Sequence, residues 1–319
     1  MKYRILVSLI FVAVVFSCKK DDDGIVEVPP SLLSDVAPED DATIKEFLNT
    51  HFYNYEDFDE LTMPEGFDYK IVIDTLAGDN AGKRSLMEDA QSVKIKVNSD
   101  YLGLSAGEED IEHTLYYIVV RPGGGGSPTY ADSTLVRYQG SLLNGKLFDE
   151  SQDFVWQELP VTVRGYANGV AKLNAGTEDQ IVENGDGTYD IMNSGMGILV
   201  MPSGLAYFNR SDSSLIPSYS PILFKVELGL YVEDTDRDND GIPSIEEDLN
   251  GNGYLNDDNT DAKDEGRFAV PAPNFNDADD DGDGVSTRRE ISDGNGNIIK
   301  PYPDKDGDGV PDYLDPDTN

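Results

Sequence analysis

The residues best placed to do chemistry are aspartates that recur at fixed spacing near the end of the chain. Three segments carry an Asp-x-Asp-x-Asp-Gly pattern followed by a further carboxylate at the twelfth position. In a calcium loop of this kind, positions 1, 3, 5 and 12 supply carboxylates, and glycine at position 6 permits a sharp turn. The predicted calcium ligands are therefore Asp236, Asp238, Asp240, Glu247, Asp279, Asp281, Asp283, Glu290, Asp304, Asp306, Asp308 and Asp315.

A fourth segment follows the same spacing less completely, because Asn259 at its twelfth position cannot supply a carboxylate. Its first, third, fifth and sixth positions are Asp248, Asn250, Asn252 and Gly253. Pro243 and Pro311, just after the Asp-x-Asp-x-Asp-Gly stretches of two of the loops, argue against the flanking helices of an EF-hand. The array resembles the calcium-binding aspartate-rich repeats of secreted adhesive proteins such as thrombospondin type 3, without their cysteines. This predicts a loop-rich module over 231–319 that holds structural calcium ions, and the alternative is a disordered acidic tail.

Charge and composition exclude several functional classes. The 319 residues include 24 lysines and arginines against 62 aspartates and glutamates, a formal net charge of −38 at neutral pH. This charge repels phosphate backbones, so we expect no nucleic-acid partner. The single cysteine, Cys18, and the two histidines, His51 and His113, cannot build a disulfide framework or a Cys/His zinc site.

The N-terminus has the pattern of an export signal. Two basic residues precede an apolar run over 5–16, which is shorter than the roughly 20 residues that a membrane-spanning helix needs. The run is followed by a small residue, Ser17, and then by Cys18, and this order resembles a bacterial lipoprotein signal. We therefore predict a signal peptide over 1–18, lipidation of Cys18 that anchors the protein in a lipid membrane, and a tether over 19–39.

A lipidated cysteine implies a bacterial cell-envelope protein, an outer-membrane lipoprotein facing either the periplasm or the cell surface. The charged cluster at 19–23 resembles the surface-export signal of some Gram-negative lipoproteins, although a solvated charge run explains it equally well. The alternative for the whole N-terminus is an ordinary secreted protein with a stray cysteine.

Two periodicities organise the middle of the chain. An apolar stripe of helical spacing begins behind Asp40, and it predicts one amphipathic helix. Apolar residues then alternate with polar ones, which predicts half-buried strands: Phe67, Tyr69, Ile71 and Ile73, and later Val93, Ile95 and Val97. These elements form an N-terminal extension over 40–111.

Beyond the extension, an apolar run over 115–120 predicts a buried strand that stops before a glycine loop at 123–126. We interpret that loop as a flexible connection, because no Gly-Lys-Ser/Thr follows it. Short strands and turns then alternate up to residue 228, with one helical stretch over 166–173. The pattern predicts an α+β fold with an antiparallel sheet.

Three blocks in this central part resemble the FKBP-type peptidyl-prolyl cis-trans isomerases. They are the strand-and-turn segment over 135–151 (LVRYQG and LNGKLFDES), the strand-to-helix corner over 163–170 (VRGYANGV), and the segment over 201–228 (MPSGLAY, LIP and ILFKVEL). Their order and spacing agree with the family. The resemblance implies an isomerase domain over 112–230, built as a bent antiparallel sheet over a short helix.

The resemblance also implies which residues surround a bound proline. They are Tyr138, Phe148, Asp149, Phe154, Val163, Tyr166, Tyr207, Ile216 and Phe224. Val163 would offer its backbone N–H, and Tyr207 and Asp149 would be polar handles at the rim, with Thr162 and Leu215 as neighbours. The implied activity is peptidyl-prolyl isomerisation of proline-containing protein substrates, assisting the folding of envelope or secreted proteins, with no cofactor for catalysis.

Three features depart from the family pattern. Tyr166 stands where tryptophan is most common on the pocket floor, and Phe208 replaces a glycine. An insertion at about 178–195 is expected to form a hairpin near the cleft. Because of Tyr166, a non-catalytic peptide-binding or chaperone module on an FKBP-like fold remains an alternative. A calcium-dependent surface interaction protein is a third interpretation.

Overall fold

The computed structural model describes residues 30–59, 61, 68, 70–210, 215–263 and 272–318. Cys18, the signal peptide, most of the tether, and the predicted strand residues Phe67 and Tyr69 lie outside the described residues. The chain divides into two compact units, Met1–Pro30 and Ser31–Asn319, and every described helix and strand belongs to the second.

The described elements are mainly strands, with few helices. The helices are α1 (Leu33–Thr50), α2 (Leu86–Asp89), α3 (Arg164–Val170) and α4 (Thr287–Glu290). The strands are β1 (His51–Tyr53), β2 (Ile73–Thr75), β3 (Gln91–Val97), β4 (Ile111–Arg121), β5 (Ser133–Leu142), β6 (Leu147–Glu158), β7 (Ile181–Glu183), β8 (Tyr189–Ile191), β9 (Gly195–Met201) and β10 (Ile222–Val232).

Six strands form the main sheet in the order β3-β4-β9-β10-β5-β6, and every neighbouring pair is antiparallel. Two further pairs, β1 with β2 and β7 with β8, are small separate sheets. The predicted α+β fold with an antiparallel sheet is confirmed. The strands predicted around Val93 to Val97 and over 115–120 lie within β3 and β4.

Strand β9 is the centre of the sheet, and all seven of its residues are buried. Because successive side chains of a strand point to opposite faces, Leu199 and Ile198 belong to two different cores. Leu199 lies in the larger core, which includes Tyr166 and Val170 of α3. Ile198 lies in a second core, together with Ile44 of α1. The sheet is therefore covered by α3 on one face and by the middle of α1 on the other.

Helix α1 begins at Leu33, earlier than the expected start behind Asp40, so 33–39 are helical and are not part of a tether. The physical reason is burial, because Leu33 and Val36 pack into the larger core one turn apart. The first amides of the helix also find acceptors outside it. The carboxylate of Glu108 accepts hydrogen bonds from the N–H groups of Leu33, at 2.7 Å, and Ser34, at 3.1 Å.

The glycine segment at 123–126 is packed, which corrects the expectation of a flexible connection. The N–H of Gly125 donates to the carbonyl of Ala175 at 2.8 Å, and that of Gly124 donates to the carbonyl of Asn193 at 2.9 Å. A Cβ on Gly123 would lie 2.3 Å from the Ala175 carbonyl oxygen. Glycine is needed here for the close approach of two backbones.

The C-terminal module is loop-rich, as expected, with short helical turns. Its described apolar clusters are small, one formed by Ala131, Leu255 and Phe275 and another by Ile242, Ile291 and Tyr313. Ala131 belongs to the central domain, so the first cluster joins the two regions. Among the described residues, no helix is both long enough and apolar enough to cross a membrane.

Candidate functional site

A cavity of about 550 Å³ opens between the main sheet and α3. Six of the nine residues expected around a bound proline line it, namely Tyr138, Asp149, Val163, Tyr166, Tyr207 and Phe224. Thr162, expected as a neighbour, also lines the cavity. The sheet and the helix corner thus bring together residues that are up to 86 positions apart, from Tyr138 to Phe224.

Aromatic rings form the floor of the cavity. Tyr166, with 3% of its surface exposed, makes an edge contact with Phe224 at 4.9 Å between ring centroids and a second with Tyr138 at 6.3 Å. Two glycines let α3 approach the sheet closely enough to place Tyr166 there. A Cβ on Gly169 would lie 2.8 Å from the Leu199 side chain, and one on Gly165 would lie 2.7 Å from Met201 Sδ.

The hydroxyl of Tyr166 is buried and has no hydrogen-bond partner among the described residues. Burial raises the pKa of Tyr166, and the nearby Tyr138 and Asp149 raise it further. A buried hydroxyl without a partner costs roughly 1–3 kcal/mol. The floor of the cavity is therefore not purely apolar, because the Tyr166 hydroxyl is available to donate a hydrogen bond to a bound group.

The polar rim contains one hydrogen-bonded pair. The hydroxyl of Tyr138 donates to Asp149 Oδ2 at 2.8 Å. Burial and the neighbouring carboxylate raise the pKa of Tyr138 to about 12, so this hydroxyl keeps its proton at neutral pH. The pair holds the carboxylate at the cavity edge, while the protonated tyrosine remains part of the aromatic wall.

Three expected cleft residues do not line the cavity. Phe148 packs beside it, edge-on to Phe224 at 5.6 Å, and Ile216 is buried in the larger core. Phe154 lies on the opposite face of the sheet, which corrects its expected role. Val155, the next residue, packs toward the larger core, so Phe154 must point away from it. There Phe154 stacks on Tyr189 with 5.7 Å between ring centroids.

The insertion at 178–195 does form a hairpin, made by β7 and β8. The expectation that this hairpin lies near the cleft was wrong. Tyr189 and Asp190 of β8 contact Arg137, the neighbour of Tyr138 on the other side of the strand. The hairpin therefore covers the face of the sheet opposite the cavity.

Two regions outside the central domain complete the cavity, and sequence reasoning missed them. Tyr101 and Leu102 come from the N-terminal extension, and Tyr254 and Asn256 come from the acidic module. The Tyr101 and Tyr254 rings are 4.8 Å apart. Arg164, at the start of α3, lies 5.4 Å from the first ring and 5.0 Å from the second. No sequence spacing indicates this contact, because its members are far apart along the chain.

The predicted calcium loops share one backbone geometry. In each, the carboxylate of the first aspartate accepts a hydrogen bond from the N–H of the glycine at position 6. The donor to acceptor distances are 3.0 Å from Gly241 to Asp236, 3.1 Å from Gly284 to Asp279 and 3.1 Å from Gly309 to Asp304. These glycines have φ of +105°, +91° and +100°. The fourth segment has the same bond, from Gly253 to Asp248 at 2.8 Å.

Carboxylates at positions 1, 3 and 5 converge in all three loops, with one oxygen of each within 4.8 Å of the others. The twelfth residues behave differently. Glu247 groups with Asp240 and with Asp280, which the spacing did not assign. Glu290 is buried, and both of its oxygens lack a hydrogen-bond partner among the described residues. Asp315 accepts hydrogen bonds from the backbone of Asp317 and the hydroxyl of Thr318.

Burial and mutual repulsion raise the pKa values of two of the twelfth-position carboxyl groups. Burial, reinforced by Asp280, raises the pKa of Glu247 to about 10, and burial next to Asp281 raises that of Glu290 to about 8. Several buried like charges at such short distances are costly unless a cation or protons neutralise them. The donor set, which is all oxygen, suits a hard cation such as Ca²⁺.

Comparison with known proteins gives two separate likenesses. The family model described as BamM C-terminal matches residues 237–305, within the acidic module. A probable FKBP-type 25 kDa peptidyl-prolyl cis-trans isomerase from Pseudomonas aeruginosa is 26% identical over 109 residues, 34% of this chain and 40% of that protein. The FKBP-type 22 kDa peptidyl-prolyl cis-trans isomerase from Escherichia coli is 28% identical over 134 residues, 40% of this chain and 56% of that protein.

Two solved structures also align with part of this chain. A peptidyl-prolyl cis-trans isomerase from Pseudomonas syringae aligns with a TM-score of 0.31 at 25% identity, covering 37% of this chain and 76% of that one. FkpA from Escherichia coli aligns with a TM-score of 0.34 at 22% identity, covering 63% of each chain. The chain is thus similar to FKBP-type isomerases at modest identity, and it spans about half the length of the curated relatives it matches.

Proposed function

We propose that this protein is a peptidyl-prolyl cis-trans isomerase of the FKBP type that acts on proline-containing segments of envelope or secreted proteins. The observation that carries the proposal is the aromatic cavity between α3 and the sheet, with the Tyr138–Asp149 pair at its rim. The FKBP-type relatives support the same activity at modest identity.

The chemistry fits the residues. Rotation about an X-Pro bond crosses a barrier of about 18–20 kcal/mol, and it forms no bond to any group of the enzyme. No nucleophile is therefore required. Aromatic walls favour the twisted amide, because its carbonyl is less polar than that of the planar form. Phe224 and Tyr166 would enclose the proline ring, and the backbone N–H of Val163 would hold the substrate carbonyl.

A protease-coupled isomerisation assay on a proline peptide tests this function. Asp149→Ala and Tyr207→Phe should each lower kcat/KM severalfold, because they remove polar groups from the cavity. Asp153→Ala, an exposed acid on the same strand as Asp149, is the matched control and should leave the rate unchanged. A wild-type protein no faster than buffer would reject catalysis.

Peptide binding without catalysis is the second candidate, and Tyr166 favours it. Its buried hydroxyl offers a hydrogen bond to a planar amide as readily as to a twisted one, and uniform binding does not accelerate a reaction. Calorimetric binding of the proline peptide, together with no acceleration in the coupled assay, would select this function.

We further propose that the acidic module binds calcium as a structural ion. The shared glycine turn of the three loops and their converging carboxylates support this site. Magnesium should substitute poorly, since it prefers near-ideal octahedral geometry and retains its waters. Calorimetric titration should show saturable heat with calcium and much weaker binding with magnesium. No saturable heat with either ion would reject the proposal.

The location we propose is the bacterial cell envelope, with acylated Cys18 as the membrane anchor of an outer-membrane lipoprotein. The signal-like segment over 1–18 supports it. Cys18→Ser should abolish acylation and release the protein from the membrane fraction. A variant that still sediments with membranes would contradict this anchor.

A further inference from the structure

Three buried carboxylates meet between two of the calcium loops. Asp240, Glu247 and Asp280 are each only 1% exposed, and one oxygen of each lies within 4.8 Å of the others. Five of their oxygens, one from Asp240 and both from each of the other two, have no hydrogen-bond partner among the described residues. Unpaired buried carboxylates of this kind are stable only when something neutralises them.

Asp280 brings the second loop to the first. It stands at position 2 of the loop that begins at Asp279, a position with no ligand role in the spacing pattern. Its backbone N–H donates to Thr287 Oγ1 at 3.1 Å, a hydrogen bond within the second loop that fixes the backbone at Asp280. Asp240 also groups with Asp236 and Asp238, so the three buried carboxylates continue the ligand set of the first loop.

The residue after Glu247 begins a segment that forms part of the cavity wall. We call residues 248–258 the wall segment. Asp248 accepts a hydrogen bond from the hydroxyl of Tyr130. The Arg164 guanidinium donates to the carbonyl of Asn252 at 2.8 Å. The Tyr254 ring packs at a tilt against the Tyr101 ring and faces the cavity.

The wall segment has little apolar anchoring of its own. Leu255 is buried in a cluster of three, and the other contacts of the segment with the central domain, among the described residues, are mainly hydrogen bonds. A segment held mainly by exposed or half-buried hydrogen bonds opens at low free-energy cost. An ion that holds Glu247 in place would therefore control how firmly the wall segment packs against the cleft.

We propose that Asp240, Glu247 and Asp280 bind one calcium ion between the two loops, and that this ion holds the wall segment against the cleft. Calcium occupancy then sets the peptide affinity of the cavity. The statement about peptides rests on the proposed isomerase function. The ion site and the ordering of the wall segment do not, and they extend the proposed calcium binding of the module. Calcium suits the site because its coordination number is flexible and all donors are oxygens.

The ion site is tested by calcium titration of the full chain. Asp280→Asn preserves side-chain size and removes one charged ligand, so it should weaken the calcium binding to this site by about tenfold or more. Asp317→Asn, which changes an exposed acid of the same module, is the matched control and should leave every calcium affinity unchanged. Equal calcium affinities in the wild type and in Asp280→Asn would overturn the site. Glu247→Gln gives a second, independent variant.

The coupling is tested by hydrogen exchange of the wall segment and by affinity for a proline peptide. In the wild type, calcium should slow exchange at 248–258 and tighten peptide binding. Asp280→Asn should lose both effects at calcium concentrations that saturate the control variant. Unchanged exchange of the wall segment on adding calcium would overturn the coupling. A protected segment together with no peptide binding under any condition would reject the proposed function and leave the ion site intact.

Discussion

The central domain and the acidic module are stabilised by different interactions within one compact unit. The largest apolar cluster has 22 buried residues, 18 of them in the central domain over 112–230, whereas the two clusters that include module residues have three buried residues each. In place of apolar side chains, the module buries acids such as Asp240, Glu247 and Asp280. This difference indicates that hydrophobic burial stabilises the central domain, and it predicts that the module keeps its fold only when cations or protons neutralise its buried acids.

Removal of bound cations by a chelator should give the largest effect, because it should unfold the acidic module and leave the main sheet folded. In EDTA, limited proteolysis of the full chain should cut repeatedly within 233–318, while the main sheet stays resistant. Calcium should suppress those cuts, and magnesium should suppress them less. Mass spectrometry of the fragments locates the cuts. Equal digestion of the module with calcium and with EDTA would remove the contrast between the two regions.

A truncation in the apolar core should destabilise the central domain, both with calcium and in EDTA. Leu199→Ala empties a fully buried position in β9 and should lower the free energy of unfolding by about 3 kcal/mol. Val182→Ala, in the exposed strand β7, is the control and should cost well under 1 kcal/mol. Urea denaturation monitored by circular dichroism measures both. A Leu199→Ala cost that disappears in EDTA would mean that the two regions share one source of stability.

A buried histidine should make the central domain sensitive to acid. Burial lowers the pKa of His113, so the unfolded chain takes up a proton before the folded one does. Stability should therefore fall as the pH drops below about 6.5, by about 1 kcal/mol at pH 5.5. Urea denaturation at pH 7.5 and 5.5 in saturating calcium shows the loss. His113→Gln should reduce it, and an undiminished loss in that variant would contradict the assignment.

The smallest expected effect comes from the cavity floor. Tyr166→Phe removes a buried hydroxyl that has no partner among the described residues, so it should raise the free energy of unfolding by about 0.5–1 kcal/mol. Tyr117→Phe, whose hydroxyl donates to Gln91 at an exposed site, is the control and should change little. Destabilisation by Tyr166→Phe would show that the hydroxyl is bonded in solution.

Local patterns predicted much of the fold. Alternation placed β3, a continuous apolar run placed β4, helical spacing placed the body of α1, and the fold class was correct. The boundary of α1 was missed, because Leu33 and Glu108 are far apart along the chain and only packing joins them. The glycine segment was missed for the same reason, since its partners lie around 174–193.

The sequence by itself determined the spacing of the proposed calcium ligands and the order of the three segments that resemble FKBP-type isomerases, because each is a short segment whose geometry is local. Only the tertiary structure decided which face Phe154 occupies, that Asp280 meets Glu247, and that Tyr254 of the acidic module closes the cavity beside Tyr101. The physical reason is that local spacing fixes turns and periodicity. Contacts between distant segments depend instead on how the sheet, α3 and the loops pack together.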